Sequence, residues 1–157
     1  MNQISQRAIK RRKHWVKKIE SISEDFSSDT ARIQEDLMIE IKREGISSLI
    51  DHLRLCAAIP ESCGHNSTEE KLYSKYTDIL ISASFSQIGL KSIVLESRGD
   101  SADIEVIANN YSFVADAKVF RLSRTAKNQK DFKIQAMDNW KFGKPFAMVV
   151  CPLYQIP

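Results

Sequence analysis

The apolar residues of this chain keep a helical spacing up to Gly89 and then switch to three short β-like runs, and that switch limits the folds open to it. Ile4, Ala8, Trp15, Ile19 and Ile22 fall on one helical face. A Ser- and Asp-rich stretch, Ser21 to Asp29, interrupts the pattern before Ile33, Leu37 and Ile41 mark a second helix that Gly45 ends. Leu49, Ile50 and Leu53 predict a shorter third helix, and Ile59 to Asn66, with Pro60 and Gly64, reads as a loop. Ser67 and Glu70 have the spacing of a capping box, so a helix is expected from Ser67 to Gln87, with Leu72, Tyr76, Ile79 and Ala83 on its inner face.

The β-like runs are Lys91 to Glu96, Ala102 to Ala108 and Tyr111 to Val119, with Arg98-Gly99-Asp100 and Asn109-Asn110 as turns, the second of them a tight hairpin. From Ser123 the helical period returns. Phe132, Ala136, Met137 and Trp140 face inward, while Arg124, Lys127, Lys130 and Lys133 take other faces, and Gly143 and Pro145 stop the helix. Phe146 to Cys151 is short and apolar, as a buried strand would be. The expected class is α/β (α+β): three leading helices over residues 1–66, then an αβββαβ core over 67–157. At 157 residues the two parts form one domain, because one core of this size buries roughly two thirds of the unfolded surface.

Charge is unevenly distributed. Residues 1–18 hold seven basic side chains and no acid, and residues 119–144 hold seven against Asp131 and Asp138, while the rest of the chain is net acidic. Two basic segments suit a polyanionic partner, whose counterions they would release on binding. No apolar run is long enough to span a membrane, and the charged N-terminus cannot form a signal-peptide core, so an intracellular, cytoplasmic protein is expected. Cys56, Cys63 and Cys151 are therefore read as free thiols. Cys63 and His65 have no further partners at zinc spacing, and His14, His52 and His65 read as surface or loop residues. No Gly-rich phosphate loop is present, so no nucleotide cofactor is expected.

The residues with chemical potential are Asp103, Asp116 and Lys118. Asp103 begins the second β-run and Asp116 ends the third, so an antiparallel hairpin brings the two carboxylates together, and hard oxygen ligands of this kind suit Mg²⁺. Asp116 and Lys118 are two apart and share one face of the strand, where an ammonium could orient a water or stabilise charge on a phosphate. Taken alone, Asp-x-Lys is more often an exposed ion pair.

Asp103 followed by Asp116-Ala117-Lys118 resembles the PD-(D/E)XK nuclease motif, with Ala102 in place of its proline, and the αβββαβ order is similar to that superfamily's core. Val114-Ala115-Asp116-Ala117-Lys118, with Phe120 to Lys133 after it, resembles HindIII-type restriction endonucleases almost letter for letter. The resemblance covers about Ser67 to the C-terminus and implies Mg²⁺-dependent double-strand cleavage of DNA within a palindrome, AAGCTT, by a homodimer. It assigns Asp103, Asp116 and the Ala117 carbonyl to the metal and Lys118 to the attacking water, with Glu70 a candidate supporting carboxylate from the preceding helix. Arg121, Arg124, Lys127, Asn128 and Lys130 would then contact DNA. Enzymes of this type are about twice as long, so the alternative expectation is a truncated, non-catalytic remnant that binds DNA weakly.

Overall fold

A computed structural model describes residues 4–21, 25–95, 101–122 and 132–152. Three helices lead: α1 (Gln6–Ser21), α2 (Phe26–Glu44) and α3 (Ile46–Leu53). Asp25 caps α2 by accepting from the N–H groups of Ser27 at 2.9 Å and Ser28 at 3.0 Å, which fills donors the first turn leaves open. Gly45, at φ 72°, ends it and turns the chain into α3, a conformation that costs a side-chain-bearing residue more. Ile33, Leu37 and Ile41, four residues apart, form the stripe that α2 buries.

Next come β1 (Ala58–Ile59) and α4 (Thr68–Gln87), which the Ser67 hydroxyl caps by accepting from the Glu70 N–H at 3.2 Å. The predicted inner residues Leu72, Tyr76, Ile79 and Ala83 are buried, but so are Tyr73, Lys75, Thr77, Asp78, Leu80 and Ser82. The helix is enclosed on almost every side. It packs against α1, α2 and α3 on one flank and against the sheet on the other.

That sheet contains β2 (Lys91–Val94), β3 (Ile104–Ile107), β4 (Ser112–Ala117) and β6 (Phe146–Val150), in the order β2-β3-β4-β6. The Asn109-Asn110 hairpin forms as expected, with the Ala108 N–H donating to Tyr111 O at 2.8 Å and Ile107 opposite Ser112. β6 runs parallel to β4, so the chain must cross over between them, and the crossover carries α5 (Ile134–Trp140). Ile104, Val106, Phe113 and Ala115 face α4 with Ile81 and Phe85, while Ala102 and Val114 face Met137 and Trp140 of α5. β4 is covered on both faces and reads as a nearly unbroken buried run for that reason.

Three expectations are corrected. β6 was expected to be a buried strand, but it is the sheet edge, with Phe146 and Met148 exposed. The loop expected from Ile59 begins inside a strand, because Ala58 and Ile59 pair in parallel with β5 (Phe120–Arg121). Two-residue strands have no periodicity to read. The third correction is His52, which is buried, with its ring edge-on to the stacked pair Trp15 and Tyr76.

His52 belongs to a buried polar network centred on Glu40. Glu40 accepts from Trp15 Nε1 at 2.7 Å, pairs with Arg11, and lies 3.1 Å from His52 Nε2, while His52 Nδ1 lies 2.7 Å from the Tyr76 hydroxyl. A neutral ring satisfies both contacts only if Nε2–H donates to the carboxylate and Nδ1 accepts from Tyr76. Arg7 and Arg11 also pair with Asp51, Lys18 pairs with Asp36 at 2.5 Å, and Arg12 donates to Ala58 O at 2.6 Å. Much of the N-terminal basic segment therefore holds the helices together. Lys10, Lys13 and Lys17 are its exposed lysines.

Burial, reinforced by the Arg11 guanidinium, holds the His52 pKa down at about 4. Unfolded histidine titrates near about 6.5, so the stability from this site is complete above that pH and is lost as pH falls toward 4, by about 3 kcal/mol in all. His52→Gln should flatten the fall of the urea-denaturation midpoint between those two pH values. An unchanged slope would exclude His52 as its source.

Candidate active site

The β3–β4 register brings the predicted acids together. Ile104 lies opposite Ala115, so one further step of the same register sets Asp103 opposite Asp116. The two carboxyls lie close enough for Asp116 to raise the pKa of Asp103. Lys118, two residues beyond Asp116 on the same face, pairs with Asp116 Oδ2, and its own N–H donates to Val150 O of β6 at 2.8 Å. The ammonium is out of line for a directed hydrogen bond, which leaves Asp116 Oδ2, a fully buried atom, without one. Ala117, the last residue of β4, lies between them opposite Val150.

α4 adds two residues that sequence reasoning missed. Lys75 Nζ lies 3.4 Å from Asp78 Oδ2 and 4.0 Å from Asp103 Oδ1, and it donates to Leu95 O at 3.3 Å. Three carboxylates and two ammoniums thus meet where α4 passes the ends of β2, β3 and β4. Burial raises Asp103 to about 7, with the hydrogen bond and like charge of Asp116 adding to the shift while Lys75 and Lys118 oppose it. Burial also pushes Asp78 well above the usual carboxylate range, and the charges of Asp103 and Asp116 add to it. A lysine and an aspartate three apart on a helix normally read as a solvated i,i+3 pair, and the only hint to the contrary is how apolar their neighbours are.

Two other predicted residues lie elsewhere. Glu70 accepts from the Asn66 N–H at 2.6 Å and pairs with Arg121 at 3.3 Å, and the carboxylate that α4 presents to Asp103 and Asp116 is that of Asp78. Arg121 turns inward, donating to Cys63 O at 2.7 Å, Gly64 O at 3.2 Å and Pro60 O at 3.3 Å. Arg124, Lys127, Asn128 and Lys130 lie outside the described residues, as does the first part of the helix expected from Ser123.

The model of the HindIII restriction endonuclease family matches residues 13–157. The chain belongs to that family. It is 37% identical over 149 residues to the type II restriction enzyme HindIII of Haemophilus influenzae, an alignment covering 93% of this chain and 50% of that enzyme. The chain thus spans about half the length of the curated relative it matches. The family match includes Asp78, Asp103, Asp116, Lys118 and both sides of the hairpin that joins them.

The donor set accommodates a divalent cation. Mg²⁺ is commonly held by one or two carboxylates, with water and substrate phosphate completing its shell. Asp103 and Asp116 are two carboxylates that could supply such a pair, and Asp116 Oδ2, paired with Lys118, has no hydrogen-bond partner. Among the described residues no group of three His, Cys, Asp or Glu side chains is arranged as a metal cage. The three cysteines are free, and no described helix is long and apolar enough to cross a membrane.

Removing one partner of a buried ion pair strands the other charge. Lys75→Met should therefore lower the unfolding free energy by about 3–5 kcal/mol, and a paired Lys75→Met/Asp78→Met change should recover most of that loss. Chemical denaturation of both variants checks this. A single change as mild as the double one would mean that Asp78 does not need its partner.

Proposed function

We propose that this chain is the catalytic core of a type II restriction endonuclease, hydrolysing double-stranded DNA with Mg²⁺ at a short palindrome and leaving a 5′-phosphate and a 3′-hydroxyl. The observation that carries the reading is the Asp103–Asp116–Lys118 constellation, joined across the β3–β4 hairpin in a chain of this family. When bound, the metal would neutralise charge on the scissile phosphate and acidify a water, and Asp103, Asp116 and the Ala117 carbonyl are its proposed ligands. Asp116 and Lys118 share the reaction side of β4. Lys118, freed from Asp116 Oδ2 once that oxygen is occupied, would orient the attacking water and stabilise the charge that develops on phosphate oxygens.

Asp78 and Lys75 close the α4 side of the site and keep its charges balanced. Arg124, Lys127, Asn128 and Lys130 are proposed to hold the DNA backbone. AAGCTT is the proposed target, and its symmetry calls for a two-fold homodimer acting in the cytoplasm with one site per strand. The family match supports DNA as the substrate.

Plasmid carrying AAGCTT sites, incubated with the purified chain and Mg²⁺, should be cut into discrete fragments. Asp116→Asn should slow cutting by at least about 10²-fold, and chelation of the metal should abolish it. Random nicking would retain the chemistry and reject the specificity. An uncut plasmid at high protein concentration would reject both, favouring a non-catalytic core that binds DNA weakly.

A further inference from the structure

Arg121 has more directed contacts than a surface phosphate ligand needs. Its guanidinium reaches three consecutive-loop carbonyls, those of Pro60, Cys63 and Gly64, together with the carboxylates of Glu70 at 3.3 Å and Glu61 at 3.8 Å, and its side chain is only 16% exposed. A planar fork of donors suits this cross-linking role, which a lysine could not fill. The contacts tie β5 to a loop about 60 residues earlier in the chain and to the first turn of α4.

β5 is also paired with β1, where the Phe120 N–H donates to Ala57 O at 3.1 Å. Arg12 of α1 braces that strand from the other side through Ala58 O. Lys118 stands two residues before this clasp, and its own N–H is pinned to β6. The backbone that carries the catalytic ammonium is therefore held on both sides. Beside it lies a cavity of about 190 Å³, lined by Cys56, Ala57, Thr77, Lys118, Cys151 and Pro152 among others.

We propose that Arg121, supported by Glu70, is a positioning residue that fixes β5 and thereby keeps Lys118 beside Asp116, and is not a DNA contact. The catalytic arm of this proposal rests on the nuclease reading above, whereas its conformational arm does not. The guanidinium acts by geometry: a displacement of about 1 Å at a catalytic group is enough to cost about 10²-fold in rate.

Arg121→Met and Glu70→Gln separate the roles. Amide hydrogen exchange followed by NMR should quicken about tenfold at Phe120 and Lys118 in Arg121→Met, with the amides of Ile33 and Leu37 unchanged. Glu70→Gln, which removes only one of the clasp's contacts, should shift the same two amides less. DNA affinity measured against salt in an Asp116→Asn background should keep its slope in both variants, and single-turnover cleavage should fall about 10²-fold in Arg121→Met at an unchanged half-saturating DNA concentration.

A salt slope reduced by about one, with exchange at Phe120 and Lys118 unchanged, would make Arg121 a phosphate ligand and overturn the proposal. Slowed cleavage in Glu70→Gln without any change in exchange would overturn it as well, by making Glu70 a carboxylate of the reaction. Faster exchange throughout the core would show a general stabilising role and do the same. If the parent chain cuts nothing, the nuclease reading fails alone, and the exchange and salt arms still decide the clasp.

Discussion

Helix α4 has almost no solvent face, and the rest of the molecule is arranged around that constraint. A helix enclosed by three others on one flank and a sheet on the other must bury whatever its sequence places there. Leu72, Ile79 and Leu80 meet this by packing, and Tyr76 by packing and a bond to His52. Lys75 and Asp78 cannot, because a buried charge without a partner costs several kcal/mol. They are stable in place because they neutralise each other and lie against Asp103. The same burial that makes α4 central thus delivers two charged groups to the end of the sheet where Asp103 and Asp116 meet.

The acids on the strands depend on a second constraint, the register of one hairpin. A slip of one residue between β3 and β4 would send Asp116 and Lys118 to the opposite face and leave Ala115 and Ala117 in their place. The register is held because Ile104, Val106, Phe113 and Ala115 form one apolar face under α4, and Val114 belongs to the other under α5. The carboxylates of Asp103 and Asp116 meet at the cost of burial and, to a lesser degree, of their like charge, and both raise the pKa of Asp103. Lys75 and Lys118 offset part of that cost from opposite sides. Perturbed ionisation of this kind is a common mark of functional sites.

In the N-terminal basic segment the arginines and most of the lysines divide by type as well as by place. Arg7, Arg11, Arg12 and Arg121 are used internally, on carboxylates and on backbone carbonyls. Lys10, Lys13 and Lys17 stay exposed on α1. Guanidinium groups present several donors in a fixed plane and can bridge elements, whereas ammonium groups are strongly hydrated and remain in water at less cost. A cluster of basic residues in the sequence is thus only partly a surface for a polyanion.

The sequence by itself determined the long helices, their caps, the hairpin and the pair Asp103 and Asp116 with Lys118, because each follows from local periodicity, turn chemistry or strand alternation. Stretches such as Ile33, Leu37 and Ile41, or Ser67 with Glu70, carry that information within a few residues. Only the tertiary structure decided that His52 is a buried ring, that Arg121 faces a loop far away in the sequence, that Phe146 and Met148 lie exposed on an edge strand, and that Asp78 and Lys75 join the site. These outcomes depend on which elements cover which faces. Charge type and spacing are the same for a solvated ion pair on a helix and a buried one, so no local pattern could distinguish them until the packing around α4 was known.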